Sequence, residues 1–164
     1  MNDKKFLTAV TLISLTLLIG GIFLAGKLTS TASVEIDANA KVVAEETAHE
    51  WGEINLNDGN VQKVFKITNS GTAPLVLSNV ATSCMCTTAE LSLGEEKSPK
   101  FGMHTKSSYV LEVPAGETAE LKVIFDPAFH GPSGVGPINR QVTVATNDPE
   151  NPELNFMLTA MVKR

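Results

Sequence analysis

Beyond residue 60, apolar side chains recur at every second position and never at helical spacing. Leu154, Phe156, Leu158, Ala160 and Val162 form the longest such stripe, with Asn155, Met157 and Thr159 opposite. Leu121, Val123 and Phe125 repeat the pattern, as do Val142 with Val144 and Tyr109 with Leu111 and Val113. Val61, Phe65 and Ile67 share one face of VQKVFKIT, with Lys63 interrupting the row. A stripe of period two buries one face of a strand and leaves the other in water, which demands a second apolar layer opposite. Turn chemistry divides the runs: Asn57-Asp58-Gly59-Asn60, Asn69-Ser70-Gly71, Pro114-Ala115-Gly116 and Asn147-Asp148-Pro149-Glu150-Asn151-Pro152. Short strands so punctuated predict an all-β fold, an antiparallel Ig-like β-sandwich of about seven strands over residues 45–164. Its long connections are expected at Leu91 to Ser108 and Asp126 to Pro137.

The N-terminal part follows a different rule. Phe6 to Gly26 contains no charged residue, and as a helix it would reach about 30 Å, the thickness of a bilayer core. Lys4 and Lys5 precede it, while Glu35, Asp37, Glu45 and Glu46 follow, which by the positive-inside rule places residues 1–5 in the cytoplasm. The expectation is a single-pass transmembrane anchor over residues 6–26 in the cytoplasmic membrane, with the C-terminal domain extracytoplasmic. A cleaved signal peptide, cut near Ser30-Thr31-Ala32, is the rival reading. Residues 27–44 are small and polar and read as a linker that can end in a first strand.

Composition removes whole classes of function. Setting aside Lys4, Lys5 and Asp3, the chain carries 11 basic and 17 acidic residues, a net of −6. Such a domain repels phosphate backbones, and its 5% aromatic content offers little to stack bases on, so no nucleic acid is expected as partner. The glycine-rich stretch from Gly131 to Pro137 lacks the Lys-Ser/Thr and the following helix of a phosphate loop. Arg140 beyond it reads as a solvated strand residue. Ser83, Ser107, Ser108 and the three histidines form no ordered triad, and Asp126 and Asp148, each before a proline, read as turn residues. No enzyme is expected.

Cys84 and Cys86 are the sharpest chemical feature. In an extended segment, residues two apart face the same way, so the two sulfurs can converge on one target. Three roles stay open. The pair can be a buried structural turn or structural disulfide. It can supply thiolates to a soft metal such as Cu(I), with Met85, Met103, His104 or His130 completing the set. It can also be a redox pair, since a bridge across one extended residue lies near the upper limit of Cα spacing and strain makes a disulfide more oxidising. No cofactor is certain, and copper is the candidate. His49, beside Trp51, reads as a packed strand-edge residue.

The order of several motifs is familiar. His49-Glu50-Trp51-Gly52-Glu53-Ile54 is followed by Val64 to Leu75 (VFKITNSGTAPL) and then by Ser83-Cys84-Met85-Cys86-Thr87. Pro114-Ala115-Gly116-Glu117 and Thr146-Asn147-Asp148-Pro149 close the series. The run from residue 48 onward resembles the bacterial family called domain of unknown function 1573, related to ASPM/SPD-2/Hydin-type domains. That resemblance implies an Ig-like sandwich, often exported or anchored, with no established catalytic activity. Two departures stand out: Met85 where the family has glycine, and a longer connection from Leu91 to Ser108 containing Gly102-Met103-His104. The resulting expectation is a membrane-anchored, non-catalytic binding or scaffolding domain of the cell envelope. Its partners would be envelope proteins met through a sheet edge or loops. The alternatives are a Cu(I)-binding protein and a thiol–disulfide redox partner.

Overall fold

The structure is a computed structural model describing residues 3–28 and 32–164, with side chains described for residues 6–22 of its helix. The chain divides into two compact units, Met1–Thr31 and Ala32–Arg164. In the first, helix α1 runs over Asp3–Leu28. Its described side chains are uncharged and exposed, and Thr11 and Thr16 return their hydroxyls to the carbonyls of Leu7 and Leu12 at 2.9 and 3.0 Å. The uncharged segment is therefore a helix, as expected, but the expected transmembrane span is not seen as such. Among the described residues no helix is long and apolar enough to cross a membrane.

The second unit is a sandwich of two five-stranded sheets. One sheet holds β1 (Val42–Val43), β3 (Val61–Asn69), β8 (Thr118–Phe125), β5 (Thr87–Leu93) and β6 (Glu96–Lys97), side by side in that order. The other holds β2 (Ala48–Asn55), β10 (Glu153–Lys163), β9 (Gly136–Thr146), β4 (Leu75–Thr82) and β7 (Val110–Val113). The all-β expectation holds, with two corrections. Among the described residues there are ten strands rather than about seven, and two of the additional ones, β1 and β6, are two residues long and too short to show alternation. The sandwich is also not wholly antiparallel: β2 runs parallel to β10, pairing Ala48 with Met157 and Ile54 with Val162. Part of the stretch expected as a long connection after Leu91 is a hairpin, with Ser92 opposite Lys97, and Phe101 bridges back to Ala89.

The predicted stripes make the core. Phe65, Ile67, Leu121 and Val123 from one sheet meet Leu77, Val142, Val144, Phe156 and Leu158 from the other, all essentially inaccessible to water. The rings of Phe65 and Phe156 touch across the layers at 4.8 Å between centroids. Lys63 stays on the inward row by lying at its rim, 5.5 Å above the Phe65 ring and 2.6 Å from Glu46. Strand β4 shows no clean alternation because Asn79 sits at φ 48° and the pairing with β9 slips between Ser78 and Ala81. Leu75 and Leu77 are buried at one parity, and Ser78 at the edge of the bulge with Val80 and Thr82 beyond it at the other.

Buried turn residues lock the end of the sandwich remote from the cysteines. Asn69 donates to the carbonyls of Ala73 and Val113, each at 2.9 Å, and accepts from the Gly71 amide. Asp148, 2% exposed, accepts from the Val42 and Glu150 amides at 3.0 and 2.9 Å and from the Asn151 side chain at 3.1 Å. Burial alone would raise its carboxyl, but the Val42 amide, Asn151 and the Glu150 amide outweigh that and hold it below the ordinary value. A depressed carboxyl adds stability that is present above its unfolded value and lost as pH falls through the folded one. Replacing Asp148 with Asn should therefore lower stability by about 2 kcal/mol at pH 7. In urea titrations of the full chain in detergent micelles, the gap to wild type should narrow below about pH 4. Gly71 offers a second check. A Cβ there would lie 2.2 Å from the Asn39 carbonyl oxygen and 2.6 Å from the Lys41 amide nitrogen. Gly71→Ala should cost about 3 kcal/mol and lower the melting midpoint by on the order of 10 °C, read by circular dichroism.

Candidate functional site

Cys84 and Cys86 lie in the turn joining β4 to β5, where the chain passes from one sheet to the other. The segment is folded rather than extended, in contrast to the expectation from spacing: the Thr87 amide donates to the Cys84 carbonyl at 3.1 Å. Folding draws the two Cα atoms to 5.3 Å, inside the ordinary range for bridging, and the cysteines are joined by a disulfide. Thr82 fastens the turn from below, its hydroxyl lying 3.0 Å from the carbonyls of both Cys84 and Thr87. Ser83 fastens it from the side. Its amide donates to the Gln141 carbonyl, and its hydroxyl accepts from the Gln141 amide, both at 2.9 Å.

A second crossing between sheets, from β8 to β9, arrives at the same place. The Asp126 amide donates to the Cys86 carbonyl at 2.9 Å, and the Asp126 side chain accepts from the Ala128 amide, so this aspartate is the turn residue expected. The chain then forms a 310 turn over Gly131–Gly134, a stretch expected to hold no helix, but four residues make no phosphate cradle. At its start stands His130, exposed, with Nε2 3.5 Å from Cys84 Sγ and its ring edge-on to Phe129. One ligating atom each from Cys84, Cys86 and His130 lies within 4.8 Å of the others.

The two sulfurs have different surroundings. Cys86 is buried at 3% exposure in a satellite core with Leu56, Phe125, Ile138, Ala160 and Val162, and Trp51 stacks on Phe125 at 5.9 Å. Cys84 is half-buried at the edge of that cluster, and Met85 between them projects into solvent. Arg140 also enters from β9. Its Nε donates to Cys86 Sγ at 3.1 Å while its guanidinium covers the Phe125 ring at 5.5 Å. Burial pulls the guanidinium below its ordinary value, although an arginine here keeps its charge. The reading of Arg140 as a solvated strand residue is thus corrected. The signal was available in parity: Arg140 shares the inward row of Ile138, Val142 and Val144, so its charge had to find a partner inside.

Of the six residues proposed as ligands, the fold therefore gathers Cys84, Cys86 and His130, while Met85 projects into solvent. Met103 and His104 form an exposed turn after Phe101, and His104 is outside the cluster. His49 is half-buried on the edge strand β2, edge-on to Trp51 at 5.6 Å.

Residues 42–105 match the DUF1573 family model, described as a protein of unknown function. The match runs from β1 past the cysteine turn to Thr105 and includes the three N-terminal motifs that carry the resemblance. The motifs at Pro114–Glu117 and Thr146–Pro149 lie beyond it. No curated protein matches the chain. Among solved structures, a protein of unknown function from Porphyromonas gingivalis W83 is similar at 20% identity and TM-score 0.58, over 77% of this chain. The chain spans about half of that protein, 49% of its length. The seventh PapD-like (ASH) domain of human CEP192 aligns at 12% identity over 82% of this chain and 94% of its own, with TM-score 0.49. The YadV chaperone aligns at 12% identity over 75% and 52%, with TM-score 0.45. These similarities concern fold alone.

Proposed function

We propose that the chain is a non-catalytic binding domain of the bacterial cell envelope, an Ig-like sandwich held at the cytoplasmic membrane by its N-terminal helix and facing away from the cytoplasm. The tether is supported by the 21 uncharged residues from Phe6 to Gly26 and by a helix whose described side chains are uncharged and exposed. The observation that carries the binding role is β2. This eight-residue strand is the edge of its sheet and pairs with β10 on one side only. Such an edge can add a strand from a partner through main-chain hydrogen bonds. The bulge at Gly52, φ 70°, divides the edge into two short pieces, and of the acids along it Glu46 is paired with Lys63 and Glu53 with Lys163, which leaves the exposed Glu50 to meet a partner's charge. A short extended segment with a Lys or Arg opposite Glu50 fits that edge best. A photo-crosslinking side chain at His49, in the full chain in intact cells, should give a discrete envelope adduct. The adduct should be lost in a Glu50→Lys/Glu53→Lys background whose melting midpoint is unchanged. Equal labelling from Glu112 on the opposite edge strand, β7, would refute edge recognition.

The convergence of Cys84, Cys86 and His130 favours a second reading, a soft-metal site. Once the disulfide is reduced, two thiolates and an imidazole match the softness and low coordination number of Cu(I). Anaerobic, reduced full-length protein should then take up one Cu(I) against a competing chelator. The uptake should be lost in Cys84→Ser and Cys86→Ser and weakened about tenfold or more in His130→Ala. Uptake unchanged in the serine variants would dismiss the site.

A further inference from the structure

The cysteine turn is asymmetric in a way that neither strand recognition nor metal binding requires. One sulfur, Cys86, is buried in an apolar cluster and receives a hydrogen bond from a guanidinium. The other, Cys84, sits half-buried beside an exposed imidazole. We propose that the Cys84–Cys86 disulfide is a thiol–disulfide exchange site, at which an external thiolate attacks Cys84 and Cys86 is the leaving sulfur.

The asymmetry sets the direction of attack. Exchange proceeds in line, with the incoming sulfur, the attacked sulfur and the leaving sulfur on one axis. A nucleophile reaching Cys86 would have to pass through Leu56, Phe125 and Ile138, whereas Cys84 lies at the edge of that cluster next to exposed Met85 and His130. Attack forms a bond between the external sulfur and Cys84 Sγ. The Cys84–Cys86 bond breaks, and its electron pair leaves on Cys86 as a thiolate. That charge appears 3.1 Å from Arg140 Nε, on a donor already aimed at the sulfur and held by the Phe125 ring. A buried anion without such a partner would be strongly disfavoured, so Arg140 favours the open form.

The co-reactant class is a dithiol. After the first step its remaining thiol, as thiolate, attacks its own sulfur in the mixed disulfide. Cys84 is released as the second thiolate, and the dithiol departs as a disulfide. The protein gains two electrons and the two protons given up by the dithiol, ending with two thiols. His130 Nε2, 3.5 Å from Cys84 Sγ, is placed to hydrogen-bond the released sulfur. In the reverse direction the reduced pair passes two electrons to a partner's disulfide. Arg140 touches the reacting sulfur, which gives the β9 inward row a chemical role as well as a packing one.

Regiochemistry and equilibrium can both be read on the full chain in detergent micelles. Wild-type protein is treated briefly with reduced glutathione, quenched in acid, and the adduct is mapped by peptide mass. Glutathione on Cys84 is expected, and glutathione on Cys86 would overturn the assignment. For equilibrium, the protein is poised in mixtures of reduced and oxidised dithiothreitol, and its thiols are counted by maleimide mass tagging. Arg140→Met should make the disulfide about tenfold harder to reduce, with Arg140→Lys recovering part of the effect. An unchanged equilibrium in Arg140→Met would remove the arginine from the mechanism. If wild-type thiols appear only where tryptophan fluorescence reports unfolding, the bridge is a structural staple and the exchange proposal fails. The edge-strand reading stands or falls separately, because the crosslink at His49 does not depend on the state of the cysteines.

Discussion

The contact between the two inward faces is what every other feature depends on. Phe65, Ile67, Leu121 and Val123 are apolar enough to require cover, and Phe156, Leu158, Val142 and Val144 provide it. Removing this much apolar surface from water is the dominant favourable term, at about 25 cal/mol per Å². Because the sheets must face each other, every passage of the chain between them has to turn the ends of the sandwich. Two of those passages, β4 to β5 and β8 to β9, turn at the same end, and the cysteine turn and His130 meet there. The site is thus set by how the layers close.

The two ends of the sandwich use different chemistry for closure. At one end, buried Asn69, Asn147 and Asp148 satisfy main-chain groups that would otherwise lose water without compensation. Asn147, for example, accepts from the Val76 amide at 2.8 Å and donates to the Pro74 carbonyl at 3.1 Å. At the other end a smaller apolar cluster takes over, with a disulfide as its roof and Arg140 lying between sulfur and aromatic ring. Polar networks of the first kind rigidify, since each member depends on the others. A covalent roof can be opened and closed by chemistry, which gives the second end a range of states that the first lacks.

Much of the sandwich was legible in the chain, and the exceptions have physical causes. Strands β3, β8, β9 and β10 declared themselves because each presents one buried and one wet face, and such a strand must alternate. Strand β4 hid because the bulge at Asn79 shifts its parity halfway along. The two-residue strand β6 hid because two residues have no period, while β1 falls where the linker over residues 27–44 can end in a first strand. The parallel pairing of β2 with β10 was invisible, since alternation is the same whichever way a neighbour runs. Within the site, the cysteine pair and His130 were identifiable as residue types. Met103 and His104 were equally eligible by type, and only the path of the chain after Phe101 left them in an exposed turn. Arg140 was misread because its sequence neighbours are polar, although its parity was inward.

The sequence by itself determined that residues beyond about 60 form a layered β structure, that the uncharged segment near the start is helical, and that one turn carries two thiols. These follow from local rules, in which period, charge and spacing act within a few residues. Which groups surround the thiols was decided only by tertiary structure. Cys86, Phe125, His130 and Arg140 meet because two inter-sheet crossings share an end, and the sulfurs differ in exposure because one of them points into a cluster assembled from both sheets. Contacts between residues some fifty positions apart come from the packing of layers, and no local pattern encodes them.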